Sequence, residues 1–203
     1  MKIVASSSRR PLIAGCLLSL LPLVAPAFTA YATQPVGGAV PTLLRQMSGT
    51  WSVKEWMWPA PGAKAIDLPA AVAQRNLVDG KFLQESMTAV PGSGAAFNRI
   101  AYFDYNPVSG QYEYFSLDTR APQMMNERSV RPGKPGGAIE LYGSVFVASQ
   151  WGSATNVPFR YRLNVGPIQG NTQTVELYLT PMGTVAGREF LAFRYLYTRR
   201  ATR

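Results

Sequence analysis

The side chains of this chain that could do chemistry are carboxylates, tyrosines, lysines and arginines. The 203 residues include no His, and the single Cys, Cys16, lies in an N-terminal segment that we interpret below as a signal peptide. Zinc sites built on Cys and His, His-ligated haem, Cys nucleophiles and Ser-His-Asp triads are therefore excluded from the mature chain. We predict no catalytic residue, no metal site and no cofactor.

Four polar side chains share one face of a predicted strand: Tyr112, Tyr114, Ser116 and Asp118. Alternation along the strand places Phe115 and Leu117 on the opposite face. If the polar face points into a barrel, the four side chains would supply the few convergent polar groups that are typical of a small-molecule site. In the other orientation Phe115 and Leu117 point inward, and the residues alone leave both orientations open.

Two arginines on later predicted strands, Arg162 and Arg194, are further candidates for ligand binding. An arginine inside a barrel could form a charge-assisted pair with the carboxylate of a ligand. Ala192 and Leu196 share the strand face of Arg194. The sequence therefore does not decide whether this side chain points into the barrel or outward. For Arg162 the plainer alternative is a place on the outer surface.

The carboxylates do not form a recognised catalytic motif. Asp104, Glu113 and Asp118 could approach one another across neighbouring strands, but such pairs are usually surface groups or hydrogen-bonded structural groups. The Gly-rich segments 91–94 and 131–137 lack the strand, loop and helix context of a phosphate-binding loop, so we interpret them as turns. The sequence favours a binding protein over an enzyme.

The pattern of apolar residues predicts an all-β domain from residue 50 onward. Alternating runs recur between turn signals, of which Asp79-Gly80 is the clearest because a tight hairpin turn needs positive φ. The ten predicted strands span residues 50–58, 68–78, 81–90, 97–105, 111–119, 123–130, 138–147, 158–165, 172–179 and 188–198. Their short connections favour a single up-and-down antiparallel β-barrel, with a short N-terminal helix at residues 41–47 capping one end.

Gly49-Thr50-Trp51 marks the start of the first strand. Glycine frees the backbone to turn at Gly49, and Trp51 is large enough to plug one end of a barrel. Alternation would place Trp56 and Trp58 on the face opposite to Trp51. We therefore predict that Gly49 and Trp51 close the barrel rather than contact a ligand.

Residues 1–32 have the pattern of a signal peptide. Lys2, Arg9 and Arg10 precede an apolar region over 12–28, and Ala30-Tyr31-Ala32 supplies the small residues of a cleavage site. We predict an exported protein, periplasmic or secreted, with a linker over 33–40 and the barrel domain over 41–203. Export could follow the Sec route or, because the arginines are paired, the twin-arginine route. We predict no stable membrane insertion after cleavage.

The charge of the mature chain argues against nucleic-acid binding. Removal of residues 1–32 leaves 17 of the 20 basic residues against 11 acidic ones, a formal charge of +6. Apart from a few arginines near the C-terminus, these basic residues are scattered, whereas a nucleic-acid-binding protein usually carries a clustered stripe.

Six short segments resemble a family of small bacterial proteins of unknown function: LLRQMSGTWSV (43–53), WPAPGA (58–63), DGKFLQE (79–85), FDYN (103–106), GQY (110–112) and YTR (197–199). The resemblance implies a calycin-like barrel, related in shape to lipocalins and fatty-acid-binding proteins, without an established activity. It also favours Asp118 as an inward-facing acceptor beside Tyr114. Two positions depart from the family pattern, with Asp79 in place of a Gly and Arg194 where an acidic residue is common.

These observations lead to one expected function and two alternatives. We expect an exported, non-enzymatic barrel that binds a small apolar or amphipathic molecule in its lumen. A structural or interaction protein of the cell envelope would instead use an exposed aromatic patch, with Trp56, Trp58 and Trp151 as candidates. An enzyme on the same barrel would need a partly buried Asp118 or Asp104 with a strongly shifted pKa.

Overall fold

The computed structural model describes residues 41–121, 123–130, 137–183 and 187–201, which form one short helix followed by twelve strands. The helix α1 spans Thr42–Met47. The strands are β1 Gly49–Met57, β2 Ile66–Asp67, β3 Ala71–Val78, β4 Phe82–Ala89, β5 Asn98–Asn106, β6 Gln111–Asp118, β7 Met125–Ser129, β8 Ile139–Gly143, β9 Phe146–Trp151, β10 Ala154–Val165, β11 Thr172–Pro181 and β12 Phe190–Arg199. The predicted signal peptide and linker lie outside the described residues.

The strands form a closed antiparallel barrel. Around the barrel the order is β1, β3, β4, β5, β6, β7, β8, β10, β11 and β12, and β12 pairs back to β1. Neighbours in the sequence are neighbours in the sheet, so the chain runs up and down. The predicted single up-and-down barrel of about ten strands is confirmed.

Two of the predicted strands differ from prediction: the strand predicted over 68–78 begins at Ala71 and is preceded by the short β2, and the strand predicted over 138–147 is divided between β8 and β9. β2 and β3 lie along the same edge of β1, and the break between them contains Pro69, which has no N–H for the ladder. Phe159 of β10 pairs with Pro181 on one side and with Phe146 on the other, so β9 continues along the edge that β8 occupies. The register shifts by one residue between β8 and β9, which is the mark of a β-bulge.

The hairpin at Asp79-Gly80 is present. Both residues have positive φ, 48° and 66°, and the Lys81 N–H donates to the Val78 carbonyl over 2.9 Å. Val78 pairs with Phe82, so Lys81 belongs to the turn and not, as predicted, to the strand. The turn fixes the register of β3 against β4.

Side chains alternate between the lumen and the outside along the strands. In β1, for example, Trp51, Val53 and Glu55 are buried while Ser52 and Lys54 are exposed. We call the end of the barrel where β1 begins the lower end, and the opposite end the upper end. Apolar and aromatic side chains fill the lumen at the lower end.

The helix α1 packs on the lower end of the barrel. Leu44 and Met47 are buried and belong to the core, and the Trp51 indole N–H donates to the Met47 carbonyl over 2.9 Å. At the end of β12 the Arg199 guanidinium donates to the Ser48 carbonyl that follows the helix. The predicted short helix is confirmed. In the part of the chain that the structure describes, no helix has the length and apolar character needed to span a membrane.

Gly49→Ala should lower the free energy of unfolding by roughly 1–3 kcal/mol, because Gly49 has φ +124° and a Cβ would lie 2.7 Å from Arg199 Nη1. Gly62→Ala is the matched control, since Gly62 has φ +73° and no described atom would lie within 4 Å of its Cβ. Urea unfolding followed by circular dichroism compares the two variants. Equal losses would show that the Arg199 contact adds nothing to the cost of the backbone conformation.

Candidate functional site

A buried polar cluster lies among the apolar and aromatic side chains of the lower lumen. Arg75 Nε donates to Glu85 Oε2 over 2.7 Å, and Arg75 Nη1 donates to Gln173 Oε1 over 2.6 Å. The Tyr197 hydroxyl donates to Glu85 Oε1 over 3.4 Å. The Arg75 guanidinium lies 3.9 Å from the centre of the Tyr197 ring and is 3% exposed. The charges of this pair are therefore satisfied inside the protein rather than by bulk water.

The pair stabilises the charged form of each partner. Burial works against the charge of Arg75, but Glu85 and Tyr197 together outweigh it and keep the guanidinium pKa above its usual value. Burial likewise works against the charge of Glu85, and the guanidinium groups of Arg75 and Arg99 hold its pKa below the usual value. Both side chains are ionised at neutral pH.

Arg99 extends the cluster towards the upper lumen. Its Nη2 donates to the Tyr114 hydroxyl, and its Nη1 lies 3.9 Å from Glu85 Oε1, too far for a hydrogen bond. Nη1 is buried and has no hydrogen-bond acceptor among the described residues. Burial opposes the charge, but Tyr114, Tyr197 and Glu85 outweigh it, so the pKa of Arg99 lies well above its usual value.

A second ionic cluster lies at the upper end. Arg120 Nη2 approaches Asp118 Oδ2 to 2.7 Å, Arg120 Nη1 donates to Glu55 Oε2 over 2.9 Å, and the guanidinium lies 3.5 Å from the centre of the Phe97 ring. Burial raises the pKa of Asp118, but the hydrogen bonds and charge of Arg120, together with the charge of Arg99, outweigh it and the pKa is lowered. Burial raises the pKa of Glu55 despite the opposing effect of Arg120.

Glu127 on β7 is the ionisable side chain with the fewest hydrogen-bond partners for its buried atoms among the described residues. The side chain is 1% exposed, and neither carboxyl oxygen has a hydrogen-bond partner in the described part of the chain. Burial raises its pKa to about 8, against a smaller opposing effect of Arg99. Glu127 is therefore mainly protonated at neutral pH and can donate a hydrogen bond as well as accept one.

A cavity of about 280 Å³ lies in the upper lumen between the two clusters. Its polar lining comes from Arg99, Tyr114, Ser116, Asp118, Arg120 and Glu127. Most of the remaining lining is apolar and includes Met125, Leu163, Leu177 and Phe193. The lower lumen, in contrast, holds a space of only about 20 Å³ around Arg75 and Glu85.

Three of the four polar residues predicted on one strand face line this cavity: Tyr114, Ser116 and Asp118. The polar face of β6 is therefore the inward one, whereas Leu117 is exposed. Tyr112 also points inward but lies lower, where its ring stacks on Phe103 with 5.4 Å between ring centres. Tyr112 is part of the packed core and not of the cavity lining.

The structure places Arg162 and Arg194 outside the lumen, contrary to the interior alternative. Arg162 pairs with Glu140 over 3.1 Å and with Glu189 over 2.7 Å, and Arg194 pairs with Glu176 over 2.8 Å. The reason is strand alternation, because their neighbours Tyr161, Leu163 and Tyr195 are buried and occupy the inward positions. Neither arginine belongs to the candidate site.

The four tryptophans named from the sequence lie outside the cavity lining. Trp51 is fully buried at the lower end, with the edge of its ring against Tyr197. Trp56, Trp58 and Trp151 are half-buried, and the Trp151 indole N–H donates to the Pro59 carbonyl over 2.8 Å.

Asp104, Glu113 and Asp118, the carboxylates grouped together from the sequence, do not all lie on the same face of the sheet. Asp104 pairs across the strands with Glu113, whereas Asp118 pairs with Arg99 and faces the lumen. Burial raises the pKa of Asp104. In the described ranges, no group of three or more carboxylates is arranged to hold a metal ion.

Sequence reasoning missed six charged residues of the lumen: Glu55, Arg75, Glu85, Arg99, Arg120 and Glu127. A signal for two of them depended on the length of one turn. The two-residue turn predicted at Asp79-Gly80 would set Arg75 opposite Gln84, whereas the observed turn, which also contains Lys81, sets Arg75 opposite Glu85. Opposite charges facing each other across two strands favour an ion pair.

Fold and site together define a calycin-like closed barrel with a small cavity in its upper half. The chain belongs to the family described as "Protein of unknown function (DUF1579)", which matches residues 38–184. No match is found among curated proteins.

Arg75→Met should lower the free energy of unfolding by roughly 3–5 kcal/mol, because Glu85 then stays buried without its nearest cation. Arg162→Met is the control, since it removes only partly exposed ion pairs that contribute about 0–1 kcal/mol each. The double variant Arg75→Met with Glu85→Gln should recover part of the loss. Urea unfolding measures all three, and equal losses for the two single variants would contradict a special role for the buried pair.

Glu127→Gln should stabilise the protein increasingly as the pH rises. The pKa of Glu127 is about 8 in the folded protein and 4.5 for an unperturbed Glu, so the folded state keeps a proton that the unfolded state loses. The favourable contribution of the protonated carboxyl is complete below pH 4.5 and is lost as the pH rises to about 8. Gln does not titrate, so the difference in unfolding free energy between variant and wild type should grow across this window. A difference in unfolding free energy that does not change with pH would contradict this prediction.

Proposed function

We propose that the protein is an exported, non-enzymatic barrel that binds a small apolar or amphipathic molecule in the upper lumen. The observation that carries the proposal is the cavity of about 280 Å³ between the two ionic clusters. Its volume is close to the lower end of the range of about 300–1,000 Å³ found for small-molecule sites. The ligand is therefore small, and most of it fits inside one half of the barrel.

The lining matches an amphipathic ligand. Met125, Leu163, Leu177 and Phe193 offer apolar surface, and burial of a ligand against it stabilises the complex by about 25 cal/mol per Å² of apolar area. Arg99 and Glu127 supply polar atoms on the inner wall. A small number of polar groups among apolar walls orients a ligand without holding it by charge alone.

The upper cluster supports a binding role more than a catalytic one. Asp118 and Glu55 are both engaged by Arg120, and an arginine does not exchange its proton at neutral pH. Arg120 is held by both carboxylates and packs on Phe97, so it forms a fixed part of the cavity wall together with Leu68 and Ala121.

Export is the second part of the proposal. The basic segment, the apolar region and the small residues at Ala30 and Ala32 support cleavage before Thr33. A barrel that carries no Cys after cleavage would depend on its core and its ion pairs for stability, not on disulfide bonds.

One observation favours a second candidate function, interaction through the outer face. Ile100 and Leu117 pair across β5 and β6 on the outside of the barrel, and they are 42% and 41% exposed. Met124 nearby is 63% exposed. Exposed apolar side chains that adjoin one another can mark a binding surface for another protein.

Met125→Trp should remove the bound ligand, because Met125 lines the cavity and the larger ring would fill it. Asn126→Trp is the matched control, since Asn126 is the next residue and is exposed on the outer face. Native mass spectrometry of the three proteins, purified from the periplasm or medium of the cells that express them, should show chains beginning at Thr33. A small-molecule adduct should accompany the wild type and Asn126→Trp only.

Two results would contradict the proposal separately. A chain that retains residues 1–32 would argue against export. Wild-type protein without an adduct under several growth conditions, or an adduct that persists in a folded Met125→Trp variant, would argue against a ligand in the upper lumen. Circular dichroism establishes that each variant is folded.

A further inference from the structure

Counted over the close ion pairs, the two ends of the cavity carry opposite excess charge. On the inner side, Arg75 and Arg99 share the single carboxylate of Glu85, which leaves one positive charge in excess. At the upper end, Arg120 is the close ion-pair partner of both Glu55 and Asp118, which leaves one negative charge in excess within this group. The charge of the more distant Arg99 also acts on both carboxylates. A ligand in the cavity lies between these clusters. A negatively charged group on it therefore favours the inner end of the cavity, and a positively charged group favours the upper end.

The inner wall also holds buried polar atoms whose hydrogen-bonding capacity is unused by the described residues. These atoms are Arg99 Nη1 and both carboxyl oxygens of Glu127. A buried polar atom without a partner costs about 1–3 kcal/mol, and native proteins contain few of them. Arg99 and Glu127 both line the cavity, so a ligand atom placed there could satisfy both side chains.

We propose that the ligand is a small monocarboxylate with an apolar body, whose carboxylate accepts hydrogen bonds from the Arg99 guanidinium and the Glu127 carboxyl group. The inference rests on the proposed function and names the chemical class of its ligand. The apolar body lies along Leu163, Leu177 and Phe193. The carboxylate points inward, because the negative excess of Glu55 and Asp118 repels it from the upper end.

The charges disfavour other polar groups. A single carboxylate neutralises the one excess positive charge of the inner cluster, whereas a phosphate with a second charge would leave a buried negative charge in excess. An ammonium group would meet Arg99 directly, and like charges at close range in a buried site repel strongly. An alcohol could accept a hydrogen bond from Arg99 but would leave the excess charge uncompensated.

Glu127 makes the interaction dependent on pH. The charged and titratable groups that face it are Arg99 on β5, Tyr114 on β6 and Tyr161 on β10. Arg99 stays charged, and burial raises the pKa of Tyr114, so that hydroxyl stays neutral near pH 8. Burial raises the pKa of Tyr161 to about 12. Glu127 is thus the group that titrates, and above its pKa of about 8 it becomes an anion that repels the ligand carboxylate.

Isothermal titration calorimetry with octanoate, 1-octanol and octylamine tests the proposal on the wild-type protein. These probes share an apolar chain and differ in the polar group. Octanoate should bind at least about tenfold more tightly than 1-octanol at about pH 6, as expected for charge-assisted hydrogen bonds. Octylamine should bind more weakly than either. The octanoate affinity should fall when the pH is raised to about 9.5, beyond the pKa of Glu127.

Glu127→Gln is the informative variant, because its amide donates a hydrogen bond at every pH. Its octanoate affinity should be the same at the low and high pH, while Arg162→Met on the outer face should keep the wild-type pH dependence. Equal affinities of the wild type for octanoate and 1-octanol, or a wild-type octanoate affinity unaffected by pH, would overturn the inference and leave the proposed function standing. Failure of the three probes and of the uncharged fluorophore N-phenyl-1-naphthylamine to bind would overturn both. If the variant does not fold, the wild-type comparisons alone decide.

Discussion

The buried ion pair between Arg75 and Glu85 constrains the rest of the lumen. Strand alternation sends both side chains inward, where each would be unstable alone, and the hairpin that joins their strands sets them opposite each other. Because Glu85 is already bonded to Arg75, Arg99 reaches it only at 3.9 Å and turns to Tyr114 instead. The inner end of the cavity owes its positive character to this division of one carboxylate between two arginines.

The pair lies in the packed lower half of the barrel. Trp51 and Tyr197 lie against the Arg75 guanidinium, at 5.5 and 3.9 Å from their ring centres, and these contacts help to compensate for lost hydration. Above the pair, small and flexible side chains such as Ser116 and Met125 line the wall. A charged lower lumen can therefore be as tightly packed as an ordinary core, while the upper lumen keeps space for a ligand.

The architecture could be predicted from the sequence because it depends on local signals that repeat. Alternating runs and short turns indicate ten strands whatever the lumen contains, and the breaks at Pro69 and after Gly143 change two of those strands without changing the barrel. The residues of the site are harder to predict. Both faces of β5 carry apolar residues, Ala101 and Phe103 on one and Ile100 and Tyr102 on the other, so the sequence does not indicate which face is inward. The inward position of Arg99 then follows from the closed sheet. Glu127 lies in a strand of five residues, too short for its pattern to indicate which face is buried.

The pairing of β1 with β12 has a consequence for the time at which the barrel can form. The first strand finds one of its two neighbours at Phe190–Arg199, and Arg199 then fastens the helix that precedes β1. The sheet consequently cannot close until β12 has been synthesised, and its closing contacts join residues far apart in the sequence, such as Trp51 and Arg199. Any truncation that removes the last ten residues of the sheet would leave β1 and β11 with open edges, and open edges promote aggregation. Closure of the barrel thus depends on β12, the strand that is synthesised after all the others in the sheet.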